Sequence, residues 1–197
     1  MSNINLNTTR KQLRQQLRQQ RRQLTPHQQK IAANKTAQRL LKLPYFNTAQ
    51  KIAFYQATDG ELNPLPLIKL ALKHHKECYL PVLRRFPKHE LAFVRIYANS
   101  RLHKHRFGFK EPKYRPRLFI HQMDMVCLPL VGFDSDCQRL GMGGGFYDRS
   151  LARKKWSRLF TLGLGHDCQQ VVQIPVAAWD MRLSAVLTPT QGYYSKC

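Results

Sequence analysis

The chain has 197 residues, enough for one sizeable domain with a hydrophobic core, so neither a metal nor a disulfide is needed to fold it. Lys and Arg total 33 against 11 Asp and Glu, which gives a formal net charge of +22. That excess attracts polyanions whatever the function, so charge alone selects neither nucleic-acid binding nor capture of a small acidic substrate. The absence of zinc-finger spacing, an RNP aromatic pattern and basic heptads argues against a specific nucleic-acid partner.

The cysteines and the hydropathy pattern predict the cellular compartment. The five cysteines are odd in number, lie far apart and form no Cys-x-x-Cys pair, which predicts free thiols in a reducing compartment: Cys78, Cys127, Cys137, Cys168 and Cys197. The N-terminal segment has no apolar core of the signal-peptide type, and no apolar run is long enough to cross a bilayer. We therefore expect a cytoplasmic protein with no membrane partner, and we expect it to be a monomer.

The segment from Arg10 to Leu24 predicts a helix, because good helix formers run through it and leucines recur at helical spacing. Four arginines follow one side of this helix: Arg10, Arg14, Arg18 and Arg21. No Asp or Glu occurs before Asp59, so these charges meet either solvent or an anion. Composition leaves a solvated basic face and an anion-binding face equally open.

Helices and strands alternate in the rest of the chain. A second helix is predicted from its N-cap Thr25 to about Leu43, with Pro26 at its first position, Gln28 completing a capping box and Pro44 stopping it. Strands are predicted at Lys51–Gln56, Cys78–Leu83, Glu90–Tyr97, Met125–Val131, Phe160–Gly165 and, last, Ala185–Thr188, and short helices at Leu67–His75, after Phe146 and at Asp167–Gln173. This order predicts an α/β fold with a mainly parallel sheet, in one domain spanning residues 1–197.

The stretch from Arg139 to Asp148 is the strongest chemical signal in the chain. It contains four glycines within five residues, namely Gly141, Gly143, Gly144 and Gly145. Without Cβ atoms, successive backbone N–H groups can approach an anion closely, and a helix that begins at Phe146 adds unsatisfied donors. A glycine run is more often a flexible loop. Here Arg139 can pair with phosphate and Asp148 can hold a divalent cation that bridges phosphates, so we predict a phosphate cradle.

Three further polar features are weaker signals. Glu61 is a single acid directly after a predicted turn at Thr58-Asp59-Gly60. His103 and His105 have metal-ligand spacing, but no nearby Cys or acid completes a shell, so an exposed loop is the stronger interpretation. Asp180 is a second carboxylate of interest, although an Asp before a strand more often serves a turn.

Taken together, these motifs resemble the pattern of the 5-formyltetrahydrofolate cyclo-ligases, also called methenyltetrahydrofolate synthetases. The stretch LPLVGFDSDCQRLGMGGGFYDR is similar to the family's P-x-x-x-F-D segment followed by R-L-G-x-G-x-G-Y-Y-D. The family's Lys-x-x-Leu-Arg, then Arg, then Leu-Ser or Leu-Thr, resembles residues 10–14, Arg21 and Leu24-Thr25. Residues 108–112 and Trp179-Asp180 resemble two further family motifs, so the likeness covers nearly the whole chain.

The resemblance implies a function as well as a fold. It implies a three-layer α/β/α sandwich. It also implies an ATP- and Mg²⁺-dependent cyclisation of 5-formyltetrahydrofolate to 5,10-methenyltetrahydrofolate, through phosphorylation of the formyl oxygen and with release of ADP and phosphate. The expected partner is this small-molecule folate, with or without a polyglutamate tail, and no specific nucleic acid.

Residue roles follow from the resemblance position by position. ATP would be contacted by Arg10, Lys11, Arg14, Arg139, Leu140, Gly141, Met142, Gly143, Gly144, Gly145, Phe146 and Tyr147. The folate pocket would be lined by Tyr55, Gln56, Glu61, Phe107, Met142, Phe146 and Tyr147. Magnesium would be held by Asp148 and Asp180, and the expected catalytic residues are Arg14, Arg139 and Asp148.

The chain departs from the family pattern at three points. Arg10 stands where the family has Lys, so the terminal-phosphate contact either becomes a guanidinium or moves to Lys11. Phe146 replaces the first Tyr of the Tyr-Tyr pair, and Thr188-Pro189 stands where many members have Thr-Glu. Two other function classes stay open: a basic nucleic-acid-binding protein with a chance glycine loop, and an ATP-independent sugar-phosphate enzyme on a similar layered fold.

Overall fold

The computed structural model describes residues 6–83, 91–100, 102–104, 110–112, 116–152 and 159–195. The helices in this part of the chain are α1 (Leu6–Arg22), α2 (Pro26–Leu41), α3 (Pro44–Thr48), α4 (Leu65–Lys73) and α5 (Phe146–Ala152), with single 3-10 turns at Ile120–Gln122 and Asp167–Gln169. The strands are β1 (Lys51–Ala53), β2 (Glu77–Leu83), β3 (Leu91–Ile96), β4 (Leu102–Lys104), β5 (Lys110–Pro112), β6 (Arg117–Leu118), β7 (Met125–Pro129), β8 (Gly132–Phe133), β9 (Arg139–Leu140), β10 (Phe160–Leu164), β11 (Ala185–Leu187) and β12 (Gly192–Tyr194).

One eight-stranded sheet organises these elements, in the order β12-β11-β10-β7-β1-β2-β3-β6. The five central strands, from β11 to β2, are parallel, and β12, β3 and β6 pair antiparallel at the two sides. Parallel strands place their carboxyl ends at one edge, where ligands of open α/β sheets bind. The segments that follow β1, β7 and β10 therefore all leave the sheet at the same edge.

Helices cover both faces of the sheet, because alternate residues of each central strand point to opposite sides. Ile52 and Cys127 face α2, α3 and α4, whereas Ala53 and Val126 face the side that carries α5. Both faces are fully buried, as expected of parallel strands. The prediction of an α/β fold with a mainly parallel sheet is confirmed, and the arrangement has the three layers that the resemblance implied.

Helix α1 covers the carboxyl edge of the sheet rather than either face. Its Leu17 is 2% exposed and lies against Gly132, where an added Cβ would come within 2.4 Å of the leucine Cδ1 atom. The helix also packs on the 3-10 turn at Asp167–Gln169. Gly132 thus allows a close approach that places the arginines of α1 next to the segments after the parallel strands.

Local details differ from the sequence-based predictions at three places. The second helix already ends at Leu41, and Pro44 begins α3 because proline suits the first turn of a helix. The segment predicted as a helix at Asp167–Gln173 forms only one 3-10 turn, at Asp167–Gln169. Ala185–Leu187 is not the last strand, since β12 follows and pairs antiparallel with it.

Two further predictions concern the membrane and the thiols. Within the described ranges, no helix is both long and apolar enough to cross a membrane. Four cysteines lie in this part of the chain, and all of them are free thiols: Cys78, Cys127, Cys137 and Cys168. Cys197 lies outside the described residues.

The capping box of α2 gives a direct test of a local sequence signal. Gln28 N donates to Thr25 Oγ1 at 3.2 Å, and Thr25 N donates to Gln28 Oε1 at 2.8 Å. Thr25→Ala removes one of these bonds and is expected to lower the free energy of unfolding by about 1 kcal/mol in urea titrations. Thr25→Ser keeps the hydroxyl and should stay close to the wild-type midpoint; an equal loss in both variants would contradict the capping role.

Candidate active site

A cavity of about 860 Å³ opens at the carboxyl edge of the parallel strands. Its wall is built from α1, the segment after β1, the ends of β2, β3 and β7, the glycine stretch, α5 and the segment before β11. Most of the site residues predicted from the sequence line it: Arg10, Arg14, Tyr55, Gln56, Glu61, Arg139, Gly141, Met142, Gly143, Gly144, Gly145, Phe146, Tyr147, Asp148 and Asp180. The fold thus brings residues from both ends of the chain into one cavity.

Three predicted site residues are not among those that line it. Leu140 is fully buried in β9, with its side chain in the protein interior. Lys11 is exposed outside the cavity wall, because successive helical residues point in different directions and Arg10 takes the inward position. Phe107 lies outside the described residues.

Arg10 forms an ion pair with Asp180 at one side of the cavity. Both terminal nitrogens of Arg10 donate to the Asp180 carboxylate, and Nη1 also donates to the Pro175 carbonyl at 3.0 Å. Ala177 N donates to Asp180 Oδ2 at 2.8 Å, so Asp180 is a turn acid and a cavity residue at once. Burial alone would raise the pKa of Asp180, but the bonds from Arg10 and Ala177 outweigh it and hold this pKa below its usual value.

A second ion pair of the cavity joins Arg139 to Asp148. Arg139 Nη2 donates to Asp148 Oδ1 at 2.5 Å, and the Arg139 side chain is only 4% exposed. Arg139 Nε is buried without a hydrogen-bond partner among the described residues. In that part of the chain no three His, Cys, Asp or Glu side chains meet as a metal site. A cation at Asp148 or Asp180 would therefore need further oxygen ligands, such as those of phosphates.

The glycine stretch lies directly beside Arg14. Arg14 Nε donates to the Gly141 carbonyl at 2.8 Å, and Gly143 and Gly145 have φ values of 98° and 64°, which L-residues with a Cβ rarely adopt. The backbone N–H groups of Gly143, Gly144 and Gly145 find no acceptor in the described part of the chain. Burial and the neighbouring Arg10 charge lower the pKa of Arg14. An anion would relieve both the charge repulsion and the missing acceptors.

The other end of the cavity is apolar and holds one buried acid. Glu61 is 7% exposed, and Thr58 N donates to its Oε2 at 3.0 Å. Burial raises the pKa of Glu61, although the Thr58 bonds oppose that shift. Tyr55 OH donates to the Leu62 carbonyl at 2.6 Å, whereas Tyr147 OH is buried without a partner among the described residues. A carboxylate between aromatic rings suits a planar ligand with N–H donors.

Among the cavity residues that the sequence interpretation of the site missed, three are polar or aromatic. Thr58 lines it and holds Glu61, and its only sequence signal is its place in the turn before that acid. Arg149 lines it, donates to the Gly144 carbonyl and lies over the Phe146 ring, with its cation 5.7 Å from the ring centroid. Trp179 lines the cavity and is 69% exposed; its motif was noted only for the neighbouring Asp180.

Comparisons with known proteins agree with this geometry. A model of the 5-formyltetrahydrofolate cyclo-ligase family matches residues 7–189. The 5-formyltetrahydrofolate cyclo-ligase of Escherichia coli strain K12 is 41% identical over 170 residues, covering 85% of this chain and 93% of that protein. The one from Haemophilus influenzae is 38% identical, covering 90% and 96%. The NMR structure of Aquifex aeolicus 5,10-methenyltetrahydrofolate synthetase is similar with a TM-score of 0.81 at 28% identity, covering 94% and 92%.

Two tyrosines of the cavity, Tyr55 and Tyr147, have buried hydroxyl groups and form a matched pair for a stability test. Tyr55→Phe removes a made hydrogen bond and should lower the free energy of unfolding of the unliganded protein by about 1 kcal/mol. Tyr147→Phe removes a buried hydroxyl that has no partner among the described residues, and should leave that free energy unchanged or raise it. Urea unfolding of both variants decides it. An equal loss in Tyr147→Phe would show that its hydroxyl is already bonded within the protein.

Proposed function

The chain belongs to the 5-formyltetrahydrofolate cyclo-ligase family and is an enzyme of that family, and on this premise we propose that it closes 5-formyltetrahydrofolate to 5,10-methenyltetrahydrofolate at the expense of ATP. The family resemblance predicted from the sequence motifs is confirmed. One observation carries the proposal: a single cavity joins a cationic, glycine-rich end to a buried carboxylate among aromatic rings. A nucleoside triphosphate suits the cationic end, and a pterin ring suits the end with the buried carboxylate.

The cationic end supports ATP as the second substrate. Arg10, Arg14 and Arg139 line the cavity together with the glycine stretch, and guanidinium groups and free backbone N–H groups are the usual ligands of phosphate. Phosphoryl transfer asks a protein mainly for positioning and charge neutralisation. No Cys, His or Ser occurs among the described residues of the lining, which suits a transfer without a nucleophilic side chain.

Magnesium fits the same end of the cavity. Asp148 and Asp180 would hold it, since Mg²⁺ is commonly bound by one or two carboxylates together with substrate phosphates and water. Both carboxylates now pair with arginines, which can move to phosphate oxygens when the nucleotide is present. A cation held there would neutralise phosphate charge during transfer.

The apolar end supports the folate. The Glu61 carboxylate is an acceptor-only group and can take hydrogen bonds from the amino group and ring N–H of the pterin. Tyr55, Phe146 and Tyr147 provide flat apolar walls. The Tyr147 hydroxyl has no hydrogen-bond partner among the described residues, so it can bond to the ligand. Gln56 and Met142 complete this proposed pocket.

The proposed chemistry fits these two halves. A formamide oxygen is a poor leaving group, so the γ-phosphoryl of ATP is transferred to the formyl oxygen and ADP is formed. Nitrogen 10 of the folate then attacks the activated formyl carbon and loses its proton to water, the carbon–oxygen bond breaks, and phosphate leaves with that oxygen. The protein holds the two substrates in line and balances the phosphate charge.

The proposal extends to the whole chain and its charge. We propose one catalytic domain over residues 1–197, because one sheet carries the elements and the cavity takes residues from both ends of the chain. The net charge of +22 would help to collect a folate with a polyglutamate tail. A cytoplasmic location and a monomeric state stay predictions.

Loss of the phosphate-binding residues should stop product formation. Arg14→Ala and Asp148→Asn are each expected to lower the rate by about 100-fold or more while the protein stays folded. Arg14→Ala removes a cation beside the transferred group, and Asp148→Asn removes a carboxylate that would hold the magnesium ion. The measurement is the near-ultraviolet absorbance of methenyltetrahydrofolate after addition of 5-formyltetrahydrofolate and Mg-ATP, with EDTA or omission of ATP abolishing it. Lys35→Ala, an exposed charge on α2, is the control. Near-normal turnover in either variant would remove that residue from the site.

The folate-binding role of Glu61 makes a separate prediction. Glu61→Gln should weaken 5-formyltetrahydrofolate binding by about 10- to 100-fold, as expected for loss of charge-assisted hydrogen bonds, with a smaller effect on kcat. Equilibrium binding without ATP measures it, and Glu77→Gln, an acid outside the cavity, is the control. Unchanged folate affinity would refute the role.

Sequence preference for a nucleic acid at physiological salt, or turnover of a sugar phosphate without ATP, would favour the other two function classes.

A further inference from the structure

We propose that Arg21 and Asp59 are positioning residues: their ion pair fixes the turn that presents Glu61 to the folate, although neither residue lines the active-site cavity. The inference rests on the proposed function. It concerns a contact behind the cavity wall, at the junction of α1 with the segments that follow β1 and β7.

Arg21 is fully buried near the end of α1 and reaches two other segments. Its Nε donates to the Asp59 carbonyl at 2.8 Å and its Nη2 to Asp59 Oδ2 at 2.9 Å. Its Nη1 donates to the Leu130 carbonyl at 3.3 Å. Leu130 lines the cavity, and Glu61 lies two residues after Asp59. One guanidinium group therefore bonds to two segments that form the cavity wall, the turn before Glu61 and the segment after β7.

The turn from Thr58 to Glu61 needs such support. Glu61 N donates to the Thr58 carbonyl at 2.9 Å, and Asp59 and Gly60 both have left-handed φ values, 52° and 75°, as in a type I′ turn. Left-handed backbone is costly for a residue with a Cβ, and Asp and Asn bear it best. The Gly60 backbone packs on Arg21, since an added Cβ at Gly60 would lie 3.5 Å from the Arg21 backbone oxygen, so both central residues are held from behind.

The direction of the turn explains how this clamp reaches the ligand. Asp59 and Gly60 are held by groups behind the wall, whereas Thr58 and Glu61 line the cavity. Thr58 N and Thr58 Oγ1 bond to Glu61 Oε2, so the position of the carboxylate follows that of the turn backbone. A shift at Asp59 would move the acceptor that the folate needs, and small displacements of a binding group cost affinity.

Two neighbouring arginines, Arg18 and Arg22, allow the positioning role of Arg21 to be distinguished from charge pairing with Asp59 alone. Arg18 and Arg22 also donate to the Asp59 carboxylate, but their side chains are 37% and 55% exposed. Within the described part of the chain, Arg18 and Arg22 bond only to this carboxylate, whereas Arg21 also donates to two backbone carbonyls. Arg22 is therefore a matched control: it touches the same acid without holding either wall.

The experiment measures folate binding without ATP, and KM and kcat with Mg-ATP, in Arg21→Lys, Asp59→Asn and Arg22→Gln. Lysine keeps the charge of Arg21 but cannot reproduce its planar fork of donors. Arg21→Lys and Asp59→Asn should each raise the Kd and KM for 5-formyltetrahydrofolate about tenfold, with kcat and the KM for ATP within about threefold of wild type. The ATP side is spared because Leu17 and Arg14 still hold α1. Arg22→Gln should stay within about twofold in every parameter.

A double-mutant comparison adds a readout that a purely structural role would not move. In the Asp59→Asn background, Glu61→Gln should weaken folate binding less than it does in wild type, because the carboxylate has already lost its position. Full additivity of the two effects would overturn the inference. So would folded Arg21→Lys and Asp59→Asn proteins that lose only thermal stability and keep wild-type folate affinity.

The positioning role can still be tested if one variant does not fold or if the wild type forms no product. If Arg21→Lys does not fold, Asp59→Asn decides, since Asn also accepts left-handed backbone. If the wild type binds 5-formyltetrahydrofolate but forms no methenyl product, the proposed reaction fails while the binding comparison still tests the positioning role. If the wild type binds no folate, both proposals are overturned.

Discussion

One face of α1 connects four other segments of the chain, and the active-site cavity depends on these contacts. Arg10 bonds to Asp180, Arg14 to the Gly141 carbonyl, and Arg21 to Asp59 and the Leu130 carbonyl. The arginines are four and seven residues apart, so they recur on one side of a helix with 3.6 residues per turn. Docking of α1 on the carboxyl edge of the sheet therefore sets the phosphate end and the folate end together.

Three acidic residues around the cavity are paired with arginines, whereas Arg14 forms no ion pair in the described part of the chain. The chain has 11 acidic residues and 33 basic ones. Three of the acids, Asp59, Asp148 and Asp180, form ion pairs with arginines around the cavity. Asp59 accepts from three arginines, which hold its pKa at about 2 against the opposing effect of burial, so its pairing persists at neutral pH. Arg14, by contrast, forms no ion pair with a carboxylate in the described part of the chain, and burial together with the nearby Arg10 charge lowers its pKa. An incoming polyanion would reduce this repulsion.

The parts that the sequence predicted well are those with strong local signals. The capping box at Thr25, the central strand after Asp124 and the glycine stretch each depend on residues that are neighbours in the chain. Strands of two or three residues, such as β6, β9 and β12, were missed because their pairing with distant strands, rather than their own composition, makes them strands. The sequence also left Arg10 and Lys11 as alternatives, since the rotation of α1 is fixed by its packing on Gly132 and by other contacts with distant parts of the chain.

The two ends of the cavity share one energetic feature that links stability to function. Arg139 Nε at the phosphate end and Tyr147 OH at the folate end are buried without partners among the described residues, and an unsatisfied buried polar group costs about 1–3 kcal/mol. The unliganded protein therefore carries these groups at a cost to its own stability. A ligand that bonds to them recovers that free energy on binding, whereas a ligand of the same size without matching polar atoms does not. The same groups that weaken the empty fold thus favour the matching ligand over its apolar analogues.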